Sequence, residues 1–248
     1  MTIRTLALCV LLSVLLASVP AQGARKPLPV AVGQNASNVL RVEDGRLVGV
    51  AAPLYRCVFE RTGLEFSFIE MPLARALFSY EHGEVAAVVP LAQSEERDRY
   101  GTFAGPLIDV QYVLLSLQEL PSFKAIEGMV YVVPRAHLGR QFVSDFVLGG
   151  FEVNSWDQVF SMLRLGRADF TVVPRVILNE LLEDPGASFY TLPAGVVPSS
   201  LYISDAYVDG DLDQRLIRSV ATCRAVFEED IRQKQEMSGA AADAADSR

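Results

Sequence analysis

Ser94-Glu-Glu-Arg-Asp-Arg-Tyr-Gly-Thr-Phe-Ala-Gly-Pro-Leu107 is the stretch whose reading decides the fold. It follows Val85-Ala-Ala-Val-Val-Pro-Leu91, an apolar run that reads as a buried strand. A strand, a polar turn and then Arg97 at the start of a helix form a setting for a small anion. Free helix N–H groups and a guanidinium would converge there, with Ser94 beside them.

On either side of this segment strands alternate with helices. Leu28–Val32 reads as a first strand, followed by a polar loop containing Asn35. Residues Val39–Val50 form a hairpin around the turn pair Asp44-Gly45. A helix over Pro53–Thr62 stops at Gly63; Leu64–Ile69 is a strand and Ala74–Tyr80 a helix. A second unit follows, with strands at Met129–Val133, Phe151–Val153 and Asp169–Val173. Its helices are expected at Leu138–Val147 and after Ser155, where Ser155 and Gln158 suit a capping box. Gly83-Glu-Val-Ala-Ala-Val-Val-Pro90 is echoed by Gly166-Arg-Ala-Asp-Phe-Thr-Val-Val-Pro174, which suggests two similar lobes. The expected fold is α/β, with doubly wound sheets in two lobes joined by two hinge strands, Gln111–Leu117 and Ser199–Ser204. Residues 24–116 and 197–237 would form lobe one, residues 117–196 lobe two, and residues 238–248 a disordered tail.

The first 23 residues read as a signal peptide: a basic start at Met1–Arg4, an apolar run to Val19, then small residues around Ala21-Gln-Gly23. At about 15 residues the run is shorter than the ~20 a membrane span needs. A soluble periplasmic protein is therefore expected, the alternative being a retained membrane anchor; a monomer is expected as well. The net charge of −8 argues against a nucleic-acid partner, which requires a concentrated basic face. Cys57 and Cys223 are the cysteines left after processing; in an oxidising compartment they suggest one disulfide, the alternative being two buried thiols. His82 and His137 lie in different units, without neighbouring acids or cysteines at metal-ligand spacing. No metal, cofactor or nucleophilic catalytic constellation is expected.

The order of these pieces resembles the bacterial extracellular solute-binding proteins of family 3. The matching segments are Asp44-Gly-Arg-Leu-Val-Gly-Val50, the helix from Tyr55 to Gly63, Met71-Pro-Leu-Ala-Arg-Ala76, Ser94–Leu107 and Leu165-Gly-Arg-Ala-Asp169. The resemblance implies the type II periplasmic-binding fold, and a solute carboxylate clamped by Arg97. It departs from the amino-acid binders where they hold the solute's amino group. Pro174-Arg175 stands in place of an acidic residue, Pro134-Arg-Ala-His137 replaces a Gly-Thr or Gly-Ser pair, and Ala86 and Leu73 replace an aspartate and a tryptophan.

Arg135 and Arg175, each just after a strand of lobe two, either face the cleft with Arg97 or point to solvent at its rim. Arg75 and Asn35 are further ligand-contact candidates, with a solvated helix residue and a plain turn residue as the alternatives. The implied role is capture of a small polar, anionic solute for a membrane transporter permease. A sensory role at a membrane receptor ectodomain is a second reading. A small lyase or dehydratase, with Glu70 as its cleft carboxylate, is a third.

Overall fold

A computed structural model describes residues 26–34, 38–120, 122–143, 147, 149–178, 189–208 and 211–246. The expected signal peptide at 1–23 and Asn35 lie outside these residues.

Strand β1 (Leu28–Gly33) is buried on both faces, the pattern of a strand covered by helices on each side. It pairs in parallel with β4 (Phe66–Met71) and with β5 (Ala87–Ala92). Between them, β2 (Arg41–Glu43) and β3 (Arg46–Val48) form the expected hairpin. Asp44 and Gly45 take φ of 48° and 74°, as a tight two-residue turn requires. Helix α1 (Ala52–Arg61) follows the hairpin, and α2 (Leu73–Glu81) connects β4 to β5. Val30 and Val32 pack with Tyr55, Val58, Leu216 and Val220 on one side of the sheet. Ala31, on the opposite face, packs with Ala76, Tyr80 and Tyr202. Alternation along one strand thus serves two cores.

Two long strands lead out of this wing. Strand β6 (Gly101–Phe103) and β7 (Ile108–Ser116) both pair with β11 (Tyr190–Ser204), and β7 also pairs with β10 (Phe170–Pro174). Beyond β10 lie β8 (Val130–Pro134) and β9 (Gly149–Val153), both in parallel register. Helix α3 (Trp156–Arg164) covers one face of this second wing through Trp156, Val159 and Phe160. Apart from the separate β2–β3 hairpin, the described strands make one sheet of order β4-β1-β5-β11-β7-β10-β8-β9, with β6 beside β11. The two wings therefore share hydrogen-bonded strands at their junction.

Several elements differ from the sequence expectation. Strand β11 begins at Tyr190, well before the expected Ser199, and runs through Pro193, Gly195 and Pro198. Its first half pairs with β7 along one edge, with a register shift between Pro193 and Gly195. An edge position tolerates prolines that lack a donor. Tyr112–Ser116 already pair with β10, so β7 joins the second wing earlier than residue 117. The helix expected at Leu138–Val147 is a 3-10 segment, Leu138–Phe142, ending at Val143. Helix α4 (Leu212–Asp246) extends through most of the segment expected to be a disordered tail. Its alanines at 240–242, 244 and 245 have the highest intrinsic helix propensity.

Cys57 on α1 and Cys223 on α4 form a disulfide across 166 residues of sequence. The amphipathic start of α4 lays Leu212, Leu216 and Val220 into the core beside it.

Candidate functional site

Arg97 stands in a single 3-10 turn, Arg97–Arg99, and not at the start of a helix. The free helix N–H groups expected there are absent from the arrangement, because the Arg97 and Asp98 amides both donate to Ser94 O at 3.1 Å. The anion-binding capacity therefore rests on the guanidinium itself. The turn is held by two buried tyrosines. Tyr202 donates to Asp98 Oδ1 at 2.6 Å and accepts from the Ser94 amide at 3.1 Å, while Tyr80 donates to Arg97 O at 3.1 Å. Gly101 follows because a Cβ there would run into Ile203 O and the Tyr80 hydroxyl. These contacts explain why an arginine, a tyrosine-bound aspartate and a glycine occur so close together.

With its backbone pinned, the Arg97 side chain points inward and keeps 6% of its surface exposed. Nη1 donates to Ala92 O in the first wing, and Nη2 donates to Ala136 O in the second at 3.0 Å. Ala136 holds the left-handed φ of 64° that turns its carbonyl toward the arginine. Among the described residues, no acidic side chain forms an ion pair with Arg97. Burial lowers its pKa from the usual value, against the opposing pull of Tyr112, Tyr202, Glu96 and Tyr80. Arginine remains charged at neutral pH even so. A buried cation without an acid partner is costly unless something supplies the negative charge.

A cavity of about 520 Å³ opens beside Arg97, within the range of small-molecule sites. It takes its walls from both wings: Leu54, Leu73 and Leu91 from the first, Leu138 and Ile177 from the second, with Ile108 and Val110 of β7 between them. Tyr112 and His137 line it next to Arg97. Tyr112 is pushed up to about 12 by burial, with Arg97 pulling the other way, so it enters as a neutral hydroxyl. His137 is pushed down to about 3, first by burial and then by Arg97, so it is a neutral imidazole at physiological pH. Its Nδ1 accepts from the Gly139 amide at 3.3 Å, which leaves the proton on Nε2. Its ring meets Trp156 edge-on at 5.0 Å and tilts against Tyr112 at 5.9 Å. The buried cation Arg97 is thus flanked by two neutral donor side chains.

The other expected site residues are scattered. Arg175 lines the cavity but is exposed, consistent with the rim alternative. Arg135 and Arg75 are exposed and do not line it. Ser94 does not line it either; its hydroxyl accepts from the Arg97 amide at 3.4 Å, which makes it a positioning residue. Glu70 is used elsewhere, accepting from the Val42 amide at 2.9 Å to tie the β2–β3 hairpin to β4. The acid lining the cavity among the described residues is Asp109, which is exposed and pairs with Arg224 of α4 at 3.1 Å. Tyr112 and His137 were not singled out as ligand contacts from sequence. Their signal is indirect: Tyr112 lies on a hinge strand, and His137 ends the Pro134-Arg-Ala-His137 departure. The lining is also largely apolar, in contrast to the polar solute expected. No group of three or more His, Cys, Asp or Glu is placed to hold a metal ion among the described residues. No helix among them is long and apolar enough to cross a membrane.

No protein-family model and no curated protein sequence matches this chain. Solved structures do resemble it. The GluR0 ligand-binding core in complex with L-glutamate has a TM-score of 0.70 at 14% identity, covering 87% of this chain and 99% of that one. The substrate-binding protein of an amino acid ABC transporter has a TM-score of 0.68 at 15% identity, covering 83% and 96%. Holo ArgBP from T. maritima has a TM-score of 0.65 at 16% identity, covering 86% and 96%. The fold is the two-lobed, type II periplasmic-binding one, in agreement with the sequence reading. Its cavity lies between the two wings, near the carboxyl ends of the parallel strands β1 and β5, where open α/β sheets place ligands.

Proposed function

We propose that this chain is an exported, non-enzymatic solute-binding protein that traps a small anionic solute between its lobes and presents it to a membrane transporter. The observation that carries this reading is Arg97: a buried guanidinium without an acid partner among the described residues, on the wall of a cavity shared by both wings. Tyr112 and the Nε2–H of His137, on the same wall, supply further donors for a bound carboxylate. The β7–β11 pair serves as the hinge. The shared strands support a crossing near Val110, with the first lobe completed by the end of β11 and by α4. The Cys57–Cys223 disulfide and the basic, then apolar, N-terminal sequence support export to an oxidising compartment, a periplasm. The bracing role of Glu70 favours binding over acid–base chemistry in the cleft.

The test is a calorimetric titration of the oxidised protein with a panel of organic acids and amino acids, repeated on Arg97→Ala. Truncating one partner of a buried charge pair costs about 2–5 kcal/mol, so affinity should fall roughly 30- to 5000-fold. A ligand whose affinity survives the substitution within threefold would contradict the clamp. Conversion of a bound acid to a product would move the protein to the enzyme class.

A further inference from the structure

We infer that the solute of this cavity is a monocarboxylate with an apolar body and no α-ammonium group. This rests on the reading of Arg97 as the anion clamp and specifies what the rest of the cavity selects. Two independent features carry it.

The first is charge. An α-amino acid brings an ammonium about two bonds from its carboxylate, so a cavity that takes the carboxylate at Arg97 must neutralise a cation close by. The described lining offers no carboxylate for that purpose, since Asp109 is exposed and occupied by Arg224. Gln111 and Ser199 are polar lining residues but carry no charge. The third charged group on the described wall, after Arg97 and Asp109, is Arg175, another cation. His137 and Tyr112 are neutral neighbours of the clamp and add no negative charge. An ammonium placed here would be buried, unpaired and repelled.

The second feature is the apolar wall. Leucine, isoleucine and valine side chains from both wings, together with Ala51, Pro90, Pro174 and Phe227, form most of the lining. Two of them at the edge are unusually open: Val50 on the first wing is 68% exposed and Val176 on the second is 51% exposed. Each is a wall residue of the same cavity, so one hydrocarbon body lying between the wings would cover both. A polar body would leave this surface dry without hydrogen-bond partners, whereas a hydrocarbon gains about 25 cal/mol for each Å² removed from water. The cavity therefore combines one fixed anionic-head site with an extended apolar wall.

Matched pairs that differ only by the amine test the inference. Titrate the oxidised protein with 3-phenylpropanoate against L-phenylalanine, and with 4-methylpentanoate against L-leucine, adding adipate as a dicarboxylate. The expected result is tighter binding of each amine-free acid by about 100-fold or more, with adipate weaker than 4-methylpentanoate. Arg175→Glu, at an exposed position, should narrow the phenylalanine gap by about tenfold by supplying an acid at the wall. Equal or tighter binding of the amino acids, with Arg97 still required, overturns the inference and leaves the solute trap standing. Tighter binding of adipate assigns a second cationic head site and also overturns it. Loss of all carboxylate binding, or binding insensitive to Arg97→Ala, removes the underlying clamp as well.

Discussion

Replacing Tyr202 with phenylalanine should loosen the turn that carries Arg97 without disturbing the core. The ring is fully buried and packs against Tyr80 and Phe103, and all of that packing is kept by phenylalanine. The loss is confined to the hydroxyl, which donates to Asp98 Oδ1 at 2.6 Å and accepts from the Ser94 amide at 3.1 Å. A hydrogen bond to a charged group contributes about 1.5–3 kcal/mol. Asp98 is itself exposed and can turn to water, so the lower end applies: ~1.5 kcal/mol, or a fall in Tm of roughly 3–6 °C. Tyr80→Phe removes the bond to Arg97 O at 3.1 Å and should cost about 1 kcal/mol. Because both hydroxyls brace one turn, the double variant should deviate from additivity by about 0.5 kcal/mol or more. The assay is urea unfolding of the four proteins, paired with calorimetry using 3-phenylpropanoate. Each single variant should bind several-fold more weakly, since the freed turn no longer fixes the guanidinium. Unchanged affinity alongside lost stability would show that the turn does not position Arg97. A Tyr202→Phe cost below about 0.3 kcal/mol would refute the bracing itself.

Further outcomes follow from the same structure. Gly101→Ala should destabilise by about 2 kcal/mol, since the added methyl collides with Ile203 O and the Tyr80 hydroxyl; denaturant unfolding measures it. Cys57→Ser should cost several kcal/mol, with ~5 as the chain-entropy limit for a 166-residue separation, and should make the protein insensitive to reductant in thermal melts. His137 is held neutral with its pKa lowered to about 3, so the unfolded state binds the proton first. Stability should be unaffected by this group above about pH 6.5 and fall progressively from there towards pH 3, by at most ~1.4 kcal/mol per pH unit. His137→Phe should flatten that slope in acid unfolding curves. Across pH 7–8 His137 stays neutral in the folded protein, so its titration should leave carboxylate affinity independent of pH there.

The fold was legible because its cues were local and mutually consistent. Asp44-Gly45 specified a hairpin turn, Gly63 and Gly166 ended helices, and apolar runs between them marked strands. Long-range pairing was less legible. The second hinge strand is expected only from Ser199, because two prolines and a glycine in Tyr190–Pro198 obscure a strand whose partner lies far away in sequence on β7. The site divided in the same way. Arg97 could be found from its spacing, but its burial depends on Tyr80 and Tyr202, which reach the turn from separate elements. Arg75 and Arg135 share the residue type without the inward orientation, which sequence spacing alone does not encode. Tyr112 and His137 meet Arg97 because the wings close on one another, a tertiary event with no local signature.

A crystal structure of the oxidised protein with 3-phenylpropanoate tests the central claim most directly. The account predicts the carboxylate at ~2.8 Å from the Arg97 guanidinium, with Tyr112 or His137 as a second donor and the phenyl ring between the two wings. A carboxylate seated on Arg175 or outside the cavity, with Arg97 still bound to Ala92 O and Ala136 O alone, would contradict it.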